Sequence, residues 1–288
     1  MTNLPRLVYS VPLPNGATIR LGERALVMGI LNVTPDSFAD ANNRLTDAAR
    51  AVEAALQMEA DGADIIDVGG ESTRPGAEPV PADEELARVL PVLNALRGRV
   101  RIPLSIDTYK AEVARAAVAA GAAIVNDVSA GQDAGMARAV VDTGAALVLM
   151  HTRGRSRTMY AEAAYGDVVA EVTAELAASL QRATEAGVPI DRIIIDPGVG
   201  FAKQASHSYV VLAHLPDLAS ALHRPVLVGP SRKSFLGDAL AGRPAPDRDW
   251  GTAAAVTAAV LGGAHIVRVH AVAEMAQVVR VAEEIRRR

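Results

Sequence analysis

Apolar residues along this chain form short runs that alternate with longer stretches of helical spacing. From residue 25 onward the alternation repeats, and eight apolar runs can be counted, each the length of one strand. They are ALVMGILNV (25–33), ADIIDVGG (63–70), PLSIDT (103–108), AIVNDVS (123–129), ALVLMHT (146–152), IIIDPG (193–198), PVLVGPS (225–231) and HIVRVH (265–270). Because the runs are rich in β-branched residues and lack regular polar alternation, they predict parallel strands covered by helices on the sheet faces.

The intervening stretches predict those helices. Ala, Val and Leu recur at three- and four-residue intervals over residues 46–61, 82–96, 110–120, 165–186 and 252–261. Glycine stands at positions where helices should end: Gly62, Gly121, Gly144 and Gly187. Eight strand–helix units favour an α/β fold of the (β/α)8 TIM-barrel type over an open doubly wound sheet, since neither a dinucleotide-binding glycine fingerprint nor a P-loop is present.

Chain length allows one barrel or two smaller domains, and the periodicity decides between them. The chain has 288 residues, half of them apolar. The continuous repeat predicts a single domain over residues 1–288. Within it, residues 1–24 place Asn15-Gly16 between two short extended stretches, which predicts an N-terminal β-hairpin closing the bottom of the barrel.

Charge and composition exclude several classes of partner. The formal net charge is −4 with acidic and basic residues mixed, so no basic patch is expected for nucleic acid or an anionic membrane surface. With no cysteine, disulfides, thiolate zinc sites, iron–sulfur clusters and a cysteine nucleophile are excluded. The first residues lack the apolar core of a secretory signal, and the uncharged run over 251–267 is short and weakly apolar for a membrane span. We therefore expect a cytoplasmic protein with a small-molecule ligand.

Polar residues fall at the ends of nearly all the predicted strands, where a TIM barrel places its active site. They are Asn32, Asp67, Asp107, Asn126, Asp127, His151, Asp196, Ser231, Arg232, Lys233, Arg268 and His270. A carboxylate deep in an apolar strand is costly unless it is paired, so for one residue such as Asp67 mutual satisfaction within the fold is at least as good an explanation as ligand binding. For the whole set on one rim, a bound polar ligand is the better explanation.

These residues divide by charge into two groups. Acceptors and one amide suit a heterocycle rich in N–H donors, such as the 2-amino-4-oxo edge of a pterin: Asp107, Asn126 and Asp196. Cations and an amide oxygen suit a diphosphate with Mg²⁺: Arg268, His270 and Asn32. Lys233 can serve either end.

The strand ends also carry motifs that resemble one family, the dihydropteroate synthases among the pterin-binding barrels. The motifs occur in the family's order, over almost all of residues 25–288: GILNVTPDSF (29–38), GGESTRPG (69–76), SIDTY (105–109), NDVSA (126–130), MH (150–151), DPGVGF (196–201), SRKSFLG (231–237) and RVH (268–270). The first two together are highly specific, whereas DPG or SRK alone is weak.

The resemblance implies an activity and a role for each matching residue. The activity is condensation of (7,8-dihydropterin-6-yl)methyl diphosphate with 4-aminobenzoate in folate biosynthesis. Asp36, Asp107 and Lys233 would be catalytic, with Asp36 and Arg74 on loops that close over the substrates. Asn32 would ligate Mg²⁺ beneath the diphosphate. The remaining roles are pterin binding by Asp107, Asn126, Asp196 and Lys233, diphosphate binding by Asn32, Arg268 and His270, and 4-aminobenzoate binding by Thr73, Arg74, Pro75, Phe201 and Ser234.

Several positions depart from the family pattern. Ala41-Asn42 replaces a common Gly-Gly pair, Ser156 and Tyr160 replace Pro and Gln, Ala202 replaces Gly, and Ala271 replaces the Asp that follows RVH. None of them removes a residue assigned to ligand contact. The altered first loop and Ala271 still leave room for a non-catalytic pterin-binding paralogue.

One further enzyme class shares the pterin pocket, the methyltetrahydrofolate-dependent corrinoid methyltransferases. They have no use for a diphosphate site, so the anion-binding residues disfavour this alternative. Family analogy also implies a homodimer that pairs through helices near the C-terminus, with residues 252–261 as a candidate contact.

Overall fold

A computed structural model of the chain describes residues 6–34, 44–72, 76–154 and 163–288, with only the backbone described for 44–47. Within that part there are ten strands and ten α-helices. The strands are β1 (Tyr9–Pro12), β2 (Thr18–Leu21), β3 (Leu26–Asn32), β4 (Ile65–Gly69), β5 (Leu104–Asp107), β6 (Ile124–Asp127), β7 (Ala146–Met150), β8 (Ile193–Asp196), β9 (Leu227–Val228) and β10 (Ile266–Val269). The helices are α1 (Arg44–Ala60), α2 (Ala82–Leu96), α3 (Ala111–Ala119), α4 (Met136–Thr143), α5 (Val168–Glu185), α6 (Ala205–Ala213), α7 (Leu215–Leu222), α8 (Ser234–Ala239), α9 (Asp249–Leu261) and α10 (Val272–Arg286).

Strands β3 to β10 form one parallel sheet that closes on itself. Their order is β8-β7-β6-β5-β4-β3-β10-β9, and a parallel bridge between Ile195 and Val226 joins the two ends. The amide of Ile195 donates to the carbonyl of Pro225 at 2.9 Å across the same junction. The predicted (β/α)8 barrel is confirmed.

Each of the eight predicted apolar runs contains one barrel strand. Most strand residues are buried whichever face they point to, because the barrel interior covers one face and the helices cover the other. β9 contains only Leu227–Val228, which is shorter than its run predicted.

Five helices match the predicted helical stretches to within a few residues: α1, α2, α3, α5 and α9. The four glycines predicted as helix stops all have positive φ, between 72° and 120°, which residues other than glycine adopt only with strain. Helices α4, α6, α7 and α8 were not predicted. α4, α7 and α8 have eight residues or fewer and offer few repeats of the apolar spacing, and the first half of α6 is mostly polar. α10 was also missed, although its 15 residues carry the spacing.

The N-terminal hairpin is present as predicted. β1 pairs with β2 in antiparallel register from Tyr9–Leu21 to Pro12–Thr18. Val11 and Leu21 belong to one buried cluster with Leu26 and Ile266, which begin two of the barrel strands. The hairpin therefore lies at the end of the barrel where strands start, and the opposite end remains for the site.

No helix in the described ranges is both long enough and apolar enough to span a bilayer.

Candidate active site

The polar residues predicted at the strand ends lie side by side at the carboxyl end of the barrel. In the sheet register, Asp107 of β5 stands opposite Gly69 of β4 on one side and Asn126 of β6 on the other. Met150 of β7 stands opposite Asp196 of β8. Adjacent strands thus bring residues far apart in sequence onto one rim.

Arg268 of β10 connects two of the carboxylates. Its Nε donates to Oδ2 of Asp67 and its Nη2 donates to Oδ2 of Asp107, both at 2.6 Å. The side-chain amide of Asn126 donates to the same Asp67 oxygen at 3.0 Å. Arg268 is predicted for the diphosphate end of the ligand and Asp107 for the pterin end. Their direct contact shows that the two predicted groups of residues adjoin each other.

Each of these carboxylates has a second oxygen without a hydrogen-bond partner among the described residues. Oδ1 of Asp67 and Oδ1 of Asp107 are both buried. Burial raises the pKa of Asp107 to about 7, with Arg268 opposing the rise and Asp67 adding to it. A buried acceptor without a donor is costly, so the site is suited to a ligand that brings N–H groups.

A second set of contacts surrounds Asp196 at the end of β8. One oxygen of Asp196 accepts from the amide of Gly198 at 2.7 Å, and burial raises the pKa of this carboxyl while Lys233 opposes the rise. The Nζ of Lys233 donates to the carbonyl of Val199 at 2.7 Å and lies 4.4 Å from the centroid of the Phe201 ring. Burial also lowers the pKa of Lys233 to about 8.

Two glycines form part of the floor between these side chains. A Cβ atom at Gly229 would lie 3.6 Å from Cβ of Arg268 and 3.8 Å from Nζ of Lys233. A Cβ atom at Gly69 would lie 3.5 Å from Cβ of Asp107 and 3.8 Å from Oδ1 of Asn32. The carboxylates, the two cations and the Asn32 amide are therefore neighbours at the mouth of the barrel, which we call the concavity.

Asn32 and His270 complete the predicted anion end. Nδ1 of His270 lies 2.9 Å from Oγ of Ser231, and the His270 amide donates to the same oxygen at 3.1 Å. Across the described residues, no three His, Asp or Glu side chains are grouped to hold a metal ion. Asn32 offers one hard oxygen, so a divalent cation here would need most of its ligands from a diphosphate and water.

Of the remaining predicted residues, some are described by the structure and others lie outside the described ranges. Ser234 is exposed at the start of α8, and Phe201 borders Lys233. Asp36, Thr73, Arg74 and Pro75 lie outside the described residues, as do the departures Ala41, Asn42, Ser156 and Tyr160. Ala202 is buried with a φ of 46°, where the family's glycine would be unstrained. Ala271 precedes α10 without capping it through a side chain.

Two central residues were not assigned to the site from sequence. Asp67 has no predicted role in ligand binding, although its position inside an apolar strand is a usable signal. Lys203 has no predicted role either, yet it is fully buried and contacts His151, the residue that ends the β7 run. Its signal was a lone lysine following an uncharged turn after Asp196.

A second cavity, of about 320 Å³, lies at the other end of the barrel. It is bordered by Tyr9 of the hairpin, Ala219 of α7 and His265 at the start of the last barrel run. None of the residues predicted for the site lines it.

At the strand ends of this closed barrel, buried carboxylate oxygens that have no hydrogen-bond partner among the described residues lie near an arginine, a lysine and amides. This arrangement defines a class, the barrel enzymes that bind an N–H-rich heterocycle together with an anion. Comparison with known families agrees, since the chain matches the model described as "Pterin binding enzyme" over residues 28–270 and belongs to that family.

Relatives within the family are dihydropteroate synthases. That of Synechocystis is 46% identical over 279 residues, which cover 96% of this chain and 96% of the relative. The structure of Yersinia pestis dihydropteroate synthase with a sulfonamide drug complex superposes with a TM-score of 0.90 at 39% identity, covering 97% of this chain and 100% of that one. Burkholderia cenocepacia dihydropteroate synthase complexed with 7,8-dihydropteroate gives a TM-score of 0.86 at 44% identity, covering 98% of each chain.

Proposed function

We propose that this chain catalyses the dihydropteroate synthase reaction. It joins the methylene carbon of (7,8-dihydropterin-6-yl)methyl diphosphate to the amine of 4-aminobenzoate, giving 7,8-dihydropteroate and diphosphate. The observation that carries the proposal is Oδ1 of Asp107, which is buried beside a guanidinium and has no hydrogen-bond partner in the part of the chain that the structure describes. The Asp107 oxygen accepts hydrogen bonds from the N–H groups of a pterin, and the Arg268 guanidinium binds the attached diphosphate.

The pterin end of the substrate is held by acceptors. We assign it to Asp107, Asn126 and Asp196, with Lys233 covering the same side of the concavity. Oδ1 of Asp67 and Oδ1 of Asp107 supply acceptor positions that no described residue uses. Water is displaced from these groups when the heterocycle binds, which strengthens each polar contact.

At the other end, Arg268 and His270 stabilise the departing diphosphate. Two of the five N–H donors of Arg268 meet carboxylates, which leaves the remaining donors for phosphate oxygens. The C–O bond breaks with its electron pair going to the diphosphate, and the arylamine nitrogen then forms the C–N bond and releases one proton to solvent. No covalent enzyme intermediate is needed.

The donor groups of the site are compatible with Mg²⁺ bound together with the diphosphate. Asn32 is the described residue that would ligate it, because its Oδ1 borders the concavity near Asp107. The ion supplies extra neutralisation of the charge that builds on the leaving group. Titration of Mg²⁺ into the chain with and without the diphosphate substrate tests this assignment, and equal affinity in both cases would contradict it.

We assign 4-aminobenzoate to the loop side of the concavity. Phe201 lies beneath Nζ of Lys233, and Ser234 follows Lys233 in the chain. Thr73, Arg74 and Pro75 are assigned to the same pocket from the family motif, and Asp36 to the loop that closes over it.

The decisive experiment follows diphosphate release from the dihydropterin substrate with Mg²⁺ present. Release that depends on 4-aminobenzoate is the expected result, and the Asp107→Asn variant should lose it. Dihydropterin binding without turnover would instead indicate a non-catalytic paralogue. Turnover only with methyltetrahydrofolate and a corrinoid partner would indicate a methyltransferase.

We also propose a homodimer in the cytoplasm, where a charged diphosphate substrate is retained. On α9, Trp250 is 89% exposed, and Ala254 and Ala258 continue the same exposed face at four-residue intervals. An Ala254→Glu variant should shift light scattering from dimer to monomer. A monomeric mass for the unmodified chain would refute the dimer.

A further inference from the structure

A buried ammonium group lies beneath the loop that follows β8. Lys203 is 1% exposed. Its Nζ lies 2.8 Å from Nδ1 of His151 and 3.2 Å from each of the carbonyl oxygens of Gly198 and Phe201. An ammonium group has three N–H donors, so these three acceptors satisfy it completely. Burial lowers the pKa of Lys203 to about 7, because it disfavours the charged form, so the group is protonated below that pH and loses its charge above it.

His151 links this lysine to a helix on the barrel exterior. Its Nε2 lies 3.0 Å from Oε2 of Glu175 in α5. Because Nδ1 accepts from the lysine, the ring proton lies on Nε2 and is donated to the glutamate. Arg153 in turn donates to both oxygens of Glu175. A continuous chain of hydrogen bonds thus runs from α5 to the loop after β8.

That loop has an unusual backbone, which needs outside support. Gly198, Gly200 and Ala202 all have positive φ, of 66°, 79° and 46°. Within the loop the Phe201 amide donates to the Gly198 carbonyl at 3.0 Å, and side chains contact its carbonyls in addition. Lys203 holds two of them, Lys233 holds that of Val199 at 2.7 Å, and Tyr165 donates to that of Ala202 at 2.8 Å.

We propose that Lys203 is a positioning residue, which fixes the loop that presents Asp196 and Phe201 to the substrates and is itself fixed by His151 and Glu175. The inference rests on the proposed function, because it assigns the loop to substrate binding. Lys203 touches no substrate position itself and acts through the two carbonyl oxygens that it holds.

Loss of Lys203 should change the pKa of Asp196 as well as the stability of the protein. Three cations face Asp196: Lys233 after β9, Lys203 below the loop and Arg268 on β10. All three oppose the rise that burial imposes on the pKa of the Asp196 carboxyl. His151 does not add to them, since burial lowers its pKa to about 3 and keeps the ring neutral. Removing Lys203 therefore raises the pKa of Asp196.

The test is Lys203→Met, which keeps an unbranched side chain and removes the charge and all three donors. We expect kcat/KM for the dihydropterin diphosphate to fall on the order of 10- to 100-fold, mainly through KM, because the loop loses its set position. Dihydropterin affinity by calorimetry should fall with it. The acid limb of the kcat/KM profile should move to higher pH.

Arg6→Met is the matched control. Arg6 is a buried cation at the end of the barrel where strands begin, donating to Glu283 at 2.9 Å and to the carbonyls of Val260 and Gly263 at 3.2 and 3.3 Å. Its loss should lower the melting temperature without moving KM or the acid limb. If Lys203→Met behaves in the same way, with only its melting temperature changed, the positioning role is overturned.

A double-mutant cycle tests the link through His151. If the imidazole acts by holding the lysine, then His151→Phe combined with Lys203→Met should lose about as much kcat/KM as one change alone. Fully additive losses of kcat/KM would show that His151 and Lys203 act independently, and would overturn this link. Should the unmodified chain show no turnover, the proposed function fails by itself, and the dihydropterin affinities of the same variants still decide the role of Lys203.

Discussion

The guanidinium of Arg268 lies 2.6 Å from Oδ2 of Asp107, through a hydrogen bond donated by Nη2. One residue is assigned to the diphosphate and the other to the pterin, so their contact couples the two ends of the substrate. The arginine opposes the burial that raises the pKa of Asp107, which favours the ionised acceptor that the heterocycle needs. We therefore expect pterin binding to depend on Arg268, which sequence alone assigned to the anion.

Arg268→Ala should weaken both the free dihydropterin and its diphosphate, and the diphosphate more. A lost hydrogen bond to a charged group costs roughly 1.5 to 3 kcal/mol, or about 10- to 100-fold in affinity, for the diphosphate. The loss for the free dihydropterin is smaller and arises because Asp67 and Asp107 no longer have their cation. Isothermal titration calorimetry with both ligands measures the difference.

Arg24→Ala is the control for that experiment. Arg24 makes a two-pronged contact with Asp64 near the start of the barrel strands, so its loss should change neither affinity. Equal losses for both ligands in Arg268→Ala would show that the arginine makes no particular contact with the diphosphate. An unchanged affinity for the free dihydropterin would show that it does not support the carboxylates.

Asp107→Asn should reduce kcat/KM by about 10²-fold or more, because an amide cannot replace the charged acceptor. Its stability should also respond differently to pH. Since burial raises the pKa of Asp107 to about 7, the folded chain holds a proton between the ordinary carboxyl pKa and about 7 that the unfolded chain has lost. The stability of the unmodified protein therefore falls as pH rises through that range.

The variant lacks this group, so its melting temperature relative to the unmodified protein should rise across the same range. Thermal denaturation of both proteins below about pH 5 and above about pH 7 checks the sign. A constant difference would mean that Asp107 is ionised throughout in the folded protein without ligand.

Lys233→Met should lower kcat/KM by about 10²-fold with little change in melting temperature. Methionine keeps an unbranched stem against Gly200, where a Cβ atom would lie only 2.9 Å from Cδ of Lys233. The cation beside Asp196 and above Phe201 is what disappears. Steady-state kinetics and thermal denaturation together separate the two effects, and unchanged activity would remove Lys233 from the site.

Sequence predicted the barrel and most of the rim because both follow from local rules. Buried parallel strands need apolar runs, and a barrel gathers whatever polar residues end them, so Asp107 and Asn126 could be placed together without coordinates. Which residues pair could not be predicted in this way. Arg268 and Asp67 are 201 positions apart, and their contact depends on side-chain direction across the closed barrel.

Lys203 shows a second limit of sequence reasoning. Its burial depends on a loop whose carbonyls turn inward, and that turn depends on positive φ angles at three alternate residues, Gly198, Gly200 and Ala202. Glycine at two of these positions permits such a path but does not specify it. The lysine's three acceptors come from His151 and from the loop itself, so no spacing in the chain indicates them in advance.

Gly198 is the position in this loop where a side chain fits least well. A Cβ atom there would lie 1.9 Å from the carbonyl oxygen of His151, and its φ of 66° already disfavours any other residue. Gly198→Ala must therefore move the backbone of the loop away from His151, which separates Asp196 and Lys203 from their partners. We expect kcat/KM to fall by on the order of 10²-fold, with a loss of stability larger than the roughly 1 kcal/mol that positive φ alone costs.

Gly242→Ala isolates the conformational cost in that comparison. Gly242 has a similar φ of 76°, and apart from its two chain neighbours no described residue has an atom within 4 Å of the position that its Cβ would take. Urea denaturation of the two variants should show the smaller loss for Gly242→Ala, and its kinetics should match those of the unmodified chain. Equal losses of stability with full activity in both would mean that the loop relaxes around the added methyl group, and that its close contact with His151 is not needed to hold Asp196 in place.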